Sequence, residues 1–265
     1  MKPTRLTPRF LEKVWGAHHL SPWFADSVQK TGEVWFEGDC EVPLLVKFLF
    51  TTERLSVQVH PGDDYARQHH DSNGKTEMWH ILRTEPGAQI ALGLKRALTP
   101  EELRRASESG AIEDELNWID VQSGDTFFTP AGTIHAIGAG LALCEIQQRS
   151  DVTYRLYDYG RPRELHLDRG VEVSDCGAYR PQPPCPDALV RCGHFVTEEV
   201  RVPGAREWAA LPGRVHLLIA LEGSGTLGGE PYRAGEVWQI PAGEAAWDLV
   251  PETPSRFLKT YVPGE

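Results

Sequence analysis

Gly124-Asp-Thr-Phe-Phe-Thr-Pro130-Ala-Gly132-Thr-Ile-His135 has the form G-x5-P-x-G-x2-H. Gly235-Glu-Val-Trp-Gln-Ile-Pro241-Ala-Gly243-Glu-Ala-Ala246 begins 111 residues later (235 − 124) and repeats that form up to its last position. There Ala246 stands in place of the histidine. Repetition at this period reads as two copies of one supersecondary plan. Each copy reads as a tight glycine turn, an extended stretch, a Pro-x-Gly turn and a strand that points a side chain inward. In the first copy that side chain is His135. The period suits one small β-barrel per copy.

The residues around both copies agree with a mainly β chain. Short apolar or alternating runs occur at 42–50 (VPLLVKFLF), 55–60, 78–82, 141–148, 215–221 and 237–240. Gly, Pro, Asp and Asn clusters separate them. One helix is marked by Thr99-Pro100-Glu101-Glu102, a capping box with Pro at the first helical position. Leu103 and Ala106 supply its apolar stripe, and Gly110 its stop. A second helical piece is expected around 112–118, and a turn of helix within 8–23. The stretch 175–187 (DCGAYRPQPPCPD) is rich in Pro and lacks apolar periodicity, so it reads as an extended linker. The expected division is a domain at 1–175, a linker at 176–187 and a domain at 188–265. The repeated signature resembles the second motif of the cupin family. That resemblance implies two cupin-type, jelly-roll β-barrels, with a short helical insertion in the N-terminal part.

Composition excludes several classes of function. The 265 residues carry 27 Lys and Arg against 38 Asp and Glu, a formal net charge of −11. A broad basic surface for nucleic acid or an acidic membrane is not expected. No apolar run is long enough to span a bilayer, and the start MKPTRLTPRFLEKVWG lacks the apolar core of a signal peptide. The five cysteines (Cys40, Cys144, Cys176, Cys185, Cys192) are odd in number and form no CxxC pair. They read as reduced thiols, so the expected location is the cytoplasm.

The N-terminal copy holds a set of metal donors. Gln58 and His60 stand two apart, on one face of a strand. Glu77 and His135 complete a set of two imidazoles, one carboxylate and one amide oxygen. A mixed N/O set without thiolate suits a divalent metal with an open coordination position, Zn²⁺ first, one per chain. The remaining histidines read as structural, His69 and His70 as a solvated loop. The C-terminal copy has only His216 near its matching strand and reads as metal-free.

Further motifs occur in a fixed order. They are Lys13-Val-Trp-Gly16, Gly32-Glu-Val-Trp35, Leu45-Val-Lys-Phe-Leu49, Leu55-Ser-Val-Gln-Val-His-Pro61 and Gly74-Lys-Thr-Glu-Met-Trp79. Pro130 to Ala136, Glu145-Ile-Gln-Gln148 and Ser150-Asp-Val-Thr-Tyr-Arg-Leu-Tyr-Asp158 follow. This series resembles the type I mannose-6-phosphate isomerases in their short bacterial form, most strongly between Lys13 and Arg161. The resemblance implies a zinc-dependent aldose–ketose isomerase that interconverts mannose 6-phosphate and fructose 6-phosphate. It implies Gln58, His60, Glu77 and His135 as zinc ligands and Arg155 as catalytic. It also implies that Lys47, Ser56, Lys75, Glu145 and Arg161 line the site. Arg161 departs in detail, since Lys also occurs at the matching place; Arg binds a phosphate bidentately where Lys offers a point charge.

The chemistry of those residues fits the implied reaction. A proton moves between C1 and C2 of the open-chain sugar through an enediol. The always-charged Arg155 stabilises the developing oxyanion. Glu145 is the candidate base, with Lys47 and Lys75 as alternatives. The expected catalytic set is therefore Arg155, Glu145 and Lys75. Lys47, Ser56 and Arg161 form the expected substrate-binding set, with Ser56, Arg155 and Arg161 anchoring the phosphate. Two other readings compete: an isomerase of a related free sugar or sugar phosphate, and a metal-binding cupin without isomerase activity, such as a dioxygenase or a ligand-binding regulator. Three cations around the metal argue against an oxygenase.

Overall fold

Short apolar runs, some alternating and some buried throughout, form strands, and the described residues hold 21 strands and four short helices. The computed structural model describes residues 2–38, 42–209, 211–243 and 246–264, so Cys40 lies outside them. Cys144, Cys176, Cys185 and Cys192 are free thiols. No helix among the described residues is long and apolar enough to cross a membrane.

Two compact units are present, and they divide the chain differently from the linear split expected at 176–187. One combines Lys13–Gly16 with Phe48–Gln182; the other combines Met1–Glu12, Ala17–Lys47 and Pro183–Glu265. One crossing, between Gln182 and Pro183, does fall within the Pro-rich stretch. The N-terminal residues join the C-terminal ones for a physical reason. The strand Thr4–Arg5 pairs antiparallel with Val237–Ile240, covering what would otherwise be a sheet edge. Leu6 N–H then donates to Val237 O at 2.8 Å, and the Trp23 indole donates to Leu221 O at 3.0 Å.

In the unit holding the first copy, a five-stranded sheet runs in the order Tyr154–Tyr157, Val57–Val59, His135–Ile137, Gln89–Leu94, Leu116–Asp120. Leu141–Gln148, Glu77–Thr84 and Thr126–Thr129 are neighbours in a second sheet. The period of two decides what each sheet shows to each side. Val57, Val59, Ala136, Tyr154 and Leu156 pack outward, with Leu103, Ile112 and Val171 of the helices. The alternate positions Ile90, Leu92 and Ile137 pack inward against Trp79, Ile81 and Leu143 of the second sheet. Gln58, His135 and Arg155 therefore share the inner face.

The other unit repeats the plan with its own pair of sheets. Its core joins Leu218, Trp238, Ile240 and Phe257 of one sheet to Trp208, Leu227, Tyr232 and Leu249 of the other. Both copies of the signature make the same passage between sheets. Gly124 (φ 95°) and Gly235 (φ 87°) each turn into a four-residue strand, Thr126–Thr129 or Val237–Ile240. Each copy then crosses to a strand of the opposite sheet that begins at His135 or Ala246. The demand for glycine at the second turn is also steric. A Cβ on Gly235 would lie 2.4 Å from the Trp23 carbonyl oxygen.

The helix Pro100–Ser109 carries the expected capping box. Glu102 N–H donates to Thr99 Oγ1 at 3.2 Å, and Thr99 N–H to Glu102 Oε2 at 2.7 Å. Elsewhere the local readings need correction. The expected helix around 112–118 is one turn, Ile112–Glu115, followed at once by the strand Leu116–Asp120. Pairing with Gln89–Leu94 takes Trp118 and Ile119 into the sheet. The stretch 8–23 holds no helix: Thr7–Ala17 is a strand, and Phe10 pairs with Val34. His69 and His70 close a helix, Asp63–His70, whose buried residue is Ala66. Thr99→Ala removes the Oγ1 acceptor of the capping box, while the backbone N–H bond to Glu102 Oε2 stays available, and should lower stability by about 1 kcal/mol, read as a lower urea midpoint with an unchanged slope.

Candidate metal centre

Glu77 begins the strand Glu77–Thr84 and is 1% exposed. A carboxylate in such a place requires cationic or metal partners. Two imidazoles meet it: His60 Nε2 lies 3.5 Å from Glu77 Oε2, and His135 Nε2 lies 3.4 Å from Glu77 Oε1. One ligand atom from each of the three residues lies within 4.8 Å of the others. All three residues are buried.

Each imidazole is set in one tautomer by a main-chain carbonyl. His60 Nδ1–H donates to Val152 O at 3.0 Å and His135 Nδ1–H donates to Thr133 O at 2.8 Å. Their Nε2 lone pairs therefore face the centre, the arrangement that metal-binding histidines use. Burial, and then the Lys75 ammonium, push the His135 imidazole down to about 4, so it is neutral near pH 7. Its Nε2 is buried with no hydrogen-bond partner among the described residues. A neutral, desolvated nitrogen lone pair beside a carboxylate and a second imidazole fits a zinc ion.

Register brings the other expected residues to the same face. Gln58 is opposite His135 on one side and Arg155 on the other. On the facing sheet Gln147 pairs with Glu77 and Glu145 with Trp79. Glu145 is 4% exposed and accepts a bond from the Trp79 indole at 3.2 Å. The Trp79 ring meets the His135 ring edge-on at 5.3 Å. Lys75 Nζ donates to His60 Nε2 at 2.8 Å and to Glu77 Oε2. Ser56 is buried two residues before Gln58.

Two of the expected residues, Lys47 and Arg161, have close partners of their own. Lys47 lies in the fully buried strand Leu44–Thr51 with its ammonium 4.6 Å from the Trp35 ring centre. It is 5% exposed, so its head does not reach water as that of an edge lysine would. Arg161 is engaged by Asp158: its Nε donates to Asp158 Oδ1 at 3.1 Å, and its Nη2 donates to Arg54 O at 2.7 Å. Arg163 holds the same carboxylate, at 2.5 and 2.7 Å. This cluster is electrically coupled to Arg155. Burial first, and then the nearby Arg163, push the Arg155 guanidinium below its usual value. Arg155 is fixed by a 2.7 Å bond from Nη1 to Glu164 O.

Sequence reasoning left out Trp79 and the pair of orienting carbonyls. Trp79 was findable, since it stands two residues after Glu77 on a strand and so shares its face. Carbonyls carry no side-chain signature.

Among the described residues the second copy shows no such cluster. Ala246 is exposed where His135 is buried. His216 is buried, accepts from Leu211 N–H at 3.1 Å through Nε2, and stacks on Tyr261 with ring centres 5.0 Å apart. Burial, then the Lys259 ammonium, push it down from 6.5 to about 4.

No family model matches the chain. The curated relative mannose-6-phosphate isomerase ManA of Bacillus subtilis is 32% identical, over 94% of this chain and 96% of its own length. The mannose-6-phosphate isomerase of Streptococcus mutans is 43% identical over 51% of this chain and 44% of its own length. The crystal structure of a Bacillus subtilis mannose 6-phosphate isomerase superposes with a TM-score of 0.86 at 28% identity, covering 98% of this chain and 99% of that one. A zinc-bound mannose 6-phosphate isomerase structure shares the fold at a TM-score of 0.75 and 14% identity, over the whole of both chains.

The depressed His216 value has a consequence for acid stability. As pH falls below about 6.5 the unfolded chain takes up a proton that folded His216 refuses until about pH 4, so stability is lost across that window. His216→Phe keeps the ring stack and removes the titration. The drop in urea midpoint between pH 7 and pH 5 should be smaller in this variant than in the parent chain.

Proposed function

The chain belongs to the mannose-6-phosphate isomerase family, and on that premise we propose that it interconverts mannose 6-phosphate and fructose 6-phosphate at the inner face of its first β unit. The observation that carries the proposal is the convergence of His60, Glu77 and His135 within 4.8 Å, with Gln58 and Arg155 in register beside them. Those three residues, with Gln58, would hold one zinc ion, which supplies Lewis-acid polarisation of the sugar carbonyl.

The chain's own residues account for the proton transfer. Glu145 is the base that carries the proton between C1 and C2. Its carboxylate stands on the buried inner face and is oriented by the Trp79 indole, which supports the assignment. Orientation without bulk water favours a proton returned to the substrate over one lost to solvent. Arg155 supplies permanent positive charge for the enediol oxygens. Its bond to Glu164 O holds the guanidinium in place before substrate arrives. Ser56, Lys47 and Arg161 complete the substrate-binding set, and the Asp158 cluster adds positive charge toward the phosphate. The expected site is in the cytoplasm, and the substrate is a small sugar phosphate.

A coupled assay on mannose 6-phosphate, with and without chelator, tests the proposal. Turnover should appear in the metal-replete chain and disappear on chelation. A metal-replete chain that converts neither sugar phosphate would leave the metal-binding cupin without isomerase activity as the better reading. His135→Ala should lose bound zinc and turnover together. Arg155→Ala should keep zinc at full stoichiometry and lose at least about 100-fold in kcat; retained turnover would remove its catalytic role.

A further inference from the structure

Lys75 takes a position for which the metal reading alone gives no reason. Its side chain is 5% exposed, and its ammonium donates to His60 Nε2 at 2.8 Å and to Glu77 Oε2. His60 has no second choice of ligating atom, because its Nδ1–H is committed to Val152 O. The two atoms that Lys75 holds are therefore two of the atoms a divalent cation requires. One imidazole lone pair accepts a proton donor or a metal, but not both at once. Two cations sharing one buried carboxylate also repel each other strongly, because little water screens them.

The backbone around Lys75 is held in place. Lys75 N–H donates to Pro61 O at 3.0 Å, and Gly74 N–H donates to Asp63 Oδ1 at 2.8 Å. The approach there is so close that a Cβ on Gly74 would lie 2.6 Å from Asp63 N. Any withdrawal of the ammonium must therefore come from rotation of the four-carbon side chain, which is flexible enough to allow it.

We propose that Lys75 is a positioning residue that keeps His60 and Glu77 in ligand geometry and competes with the metal for them, so that metal binding expels its ammonium from both ligand atoms. The inference rests on His60, Glu77 and His135 being the metal ligands. It assigns Lys75 a function in metal loading that is separate from any contact with substrate. The centre thereby binds its ion less tightly than its donor set allows. The carboxylate never stands buried without a cation, which would be strongly destabilising.

Zinc titration of the full chain, by competition with a chromophoric chelator, tests this with Lys75→Met and Lys75→Gln. The parent chain should bind one zinc. Both variants should bind one zinc about tenfold or more tightly. Their metal-free forms should melt at lower temperature than the parent, and zinc should raise their Tm by more. The sign separates competition from mere support, since loss of a supporting residue weakens zinc binding. Two folded variants that bind zinc with the parent's affinity or more weakly would overturn the inference and leave the ligand assignment intact. If only one variant folds, its affinity decides. A parent chain that binds no zinc would overturn the ligand assignment and this inference with it.

Discussion

Burial of the Glu77 carboxylate is the constraint on which the rest of the site depends. An ionised carboxylate that is 1% exposed is stable only if positive or metal charge comes to it. Apolar residues such as Trp79, Ile81, Leu92 and Leu143 pack together on the inner face between the two sheets and keep water from it. Two imidazoles and one ammonium converge on the carboxylate. The carbonyls of Val152 and Thr133 then fix the imidazoles by their Nδ1–H groups. The donor atoms therefore need no reorganisation to face an ion, and that preorganisation follows from the packing of the strands.

The second copy of the signature separates what folding needs from what chemistry needs. Glycine turn, four-residue strand and crossing to the opposite sheet are present in both copies. The difference is one side chain at the start of the receiving strand. His135 is buried and oriented; Ala246 is exposed. The corner is thus a device of the fold, and the ligand is an addition to it. A chain that keeps the corner and drops the histidine keeps its sheets, as the core shared by Leu218, Trp238, Leu227 and Leu249 shows.

The parts legible in the sequence were those governed by short-range rules. Period two placed Gln58 and His60 on one face, the repeat announced the corner, and Thr99 with Glu102 announced a helix start. Readings failed where a distant partner decided the outcome. Most of the 8–23 stretch, up to Ala17, became a strand because 31–37 pairs with it. Thr4–Arg5 joined the C-terminal sheet because Val237–Ile240 had an edge to cover. The helix Asp63–His70 has no side-chain N-cap, so nothing local marked its start; its N-cap residue is Gly62. Arg161 was legible as a cation but not as a partner of Asp158, since a buried carboxylate three residues away looks like any other acid in a sequence.

That last pairing belongs to a stretch where an acidic chain gathers its arginines. The whole chain carries −11, yet residues 145–169 hold five arginines and five acids and are neutral. Within that segment the acids are unevenly placed. Asp158 is 2% exposed and accepts from both Arg161 and Arg163, and Arg161 also lies 3.9 Å from Glu53 Oε2. A bidentate bond on Arg163 and a second set of bonds on Arg161 hold both planes still. Arg155 feels both signs: burial, Arg163 and Arg161 push its guanidinium down, while Asp158 and Glu164 act the other way. The arginines of this segment are thus balanced by local acids, and the whole excess of negative charge lies in the rest of the chain.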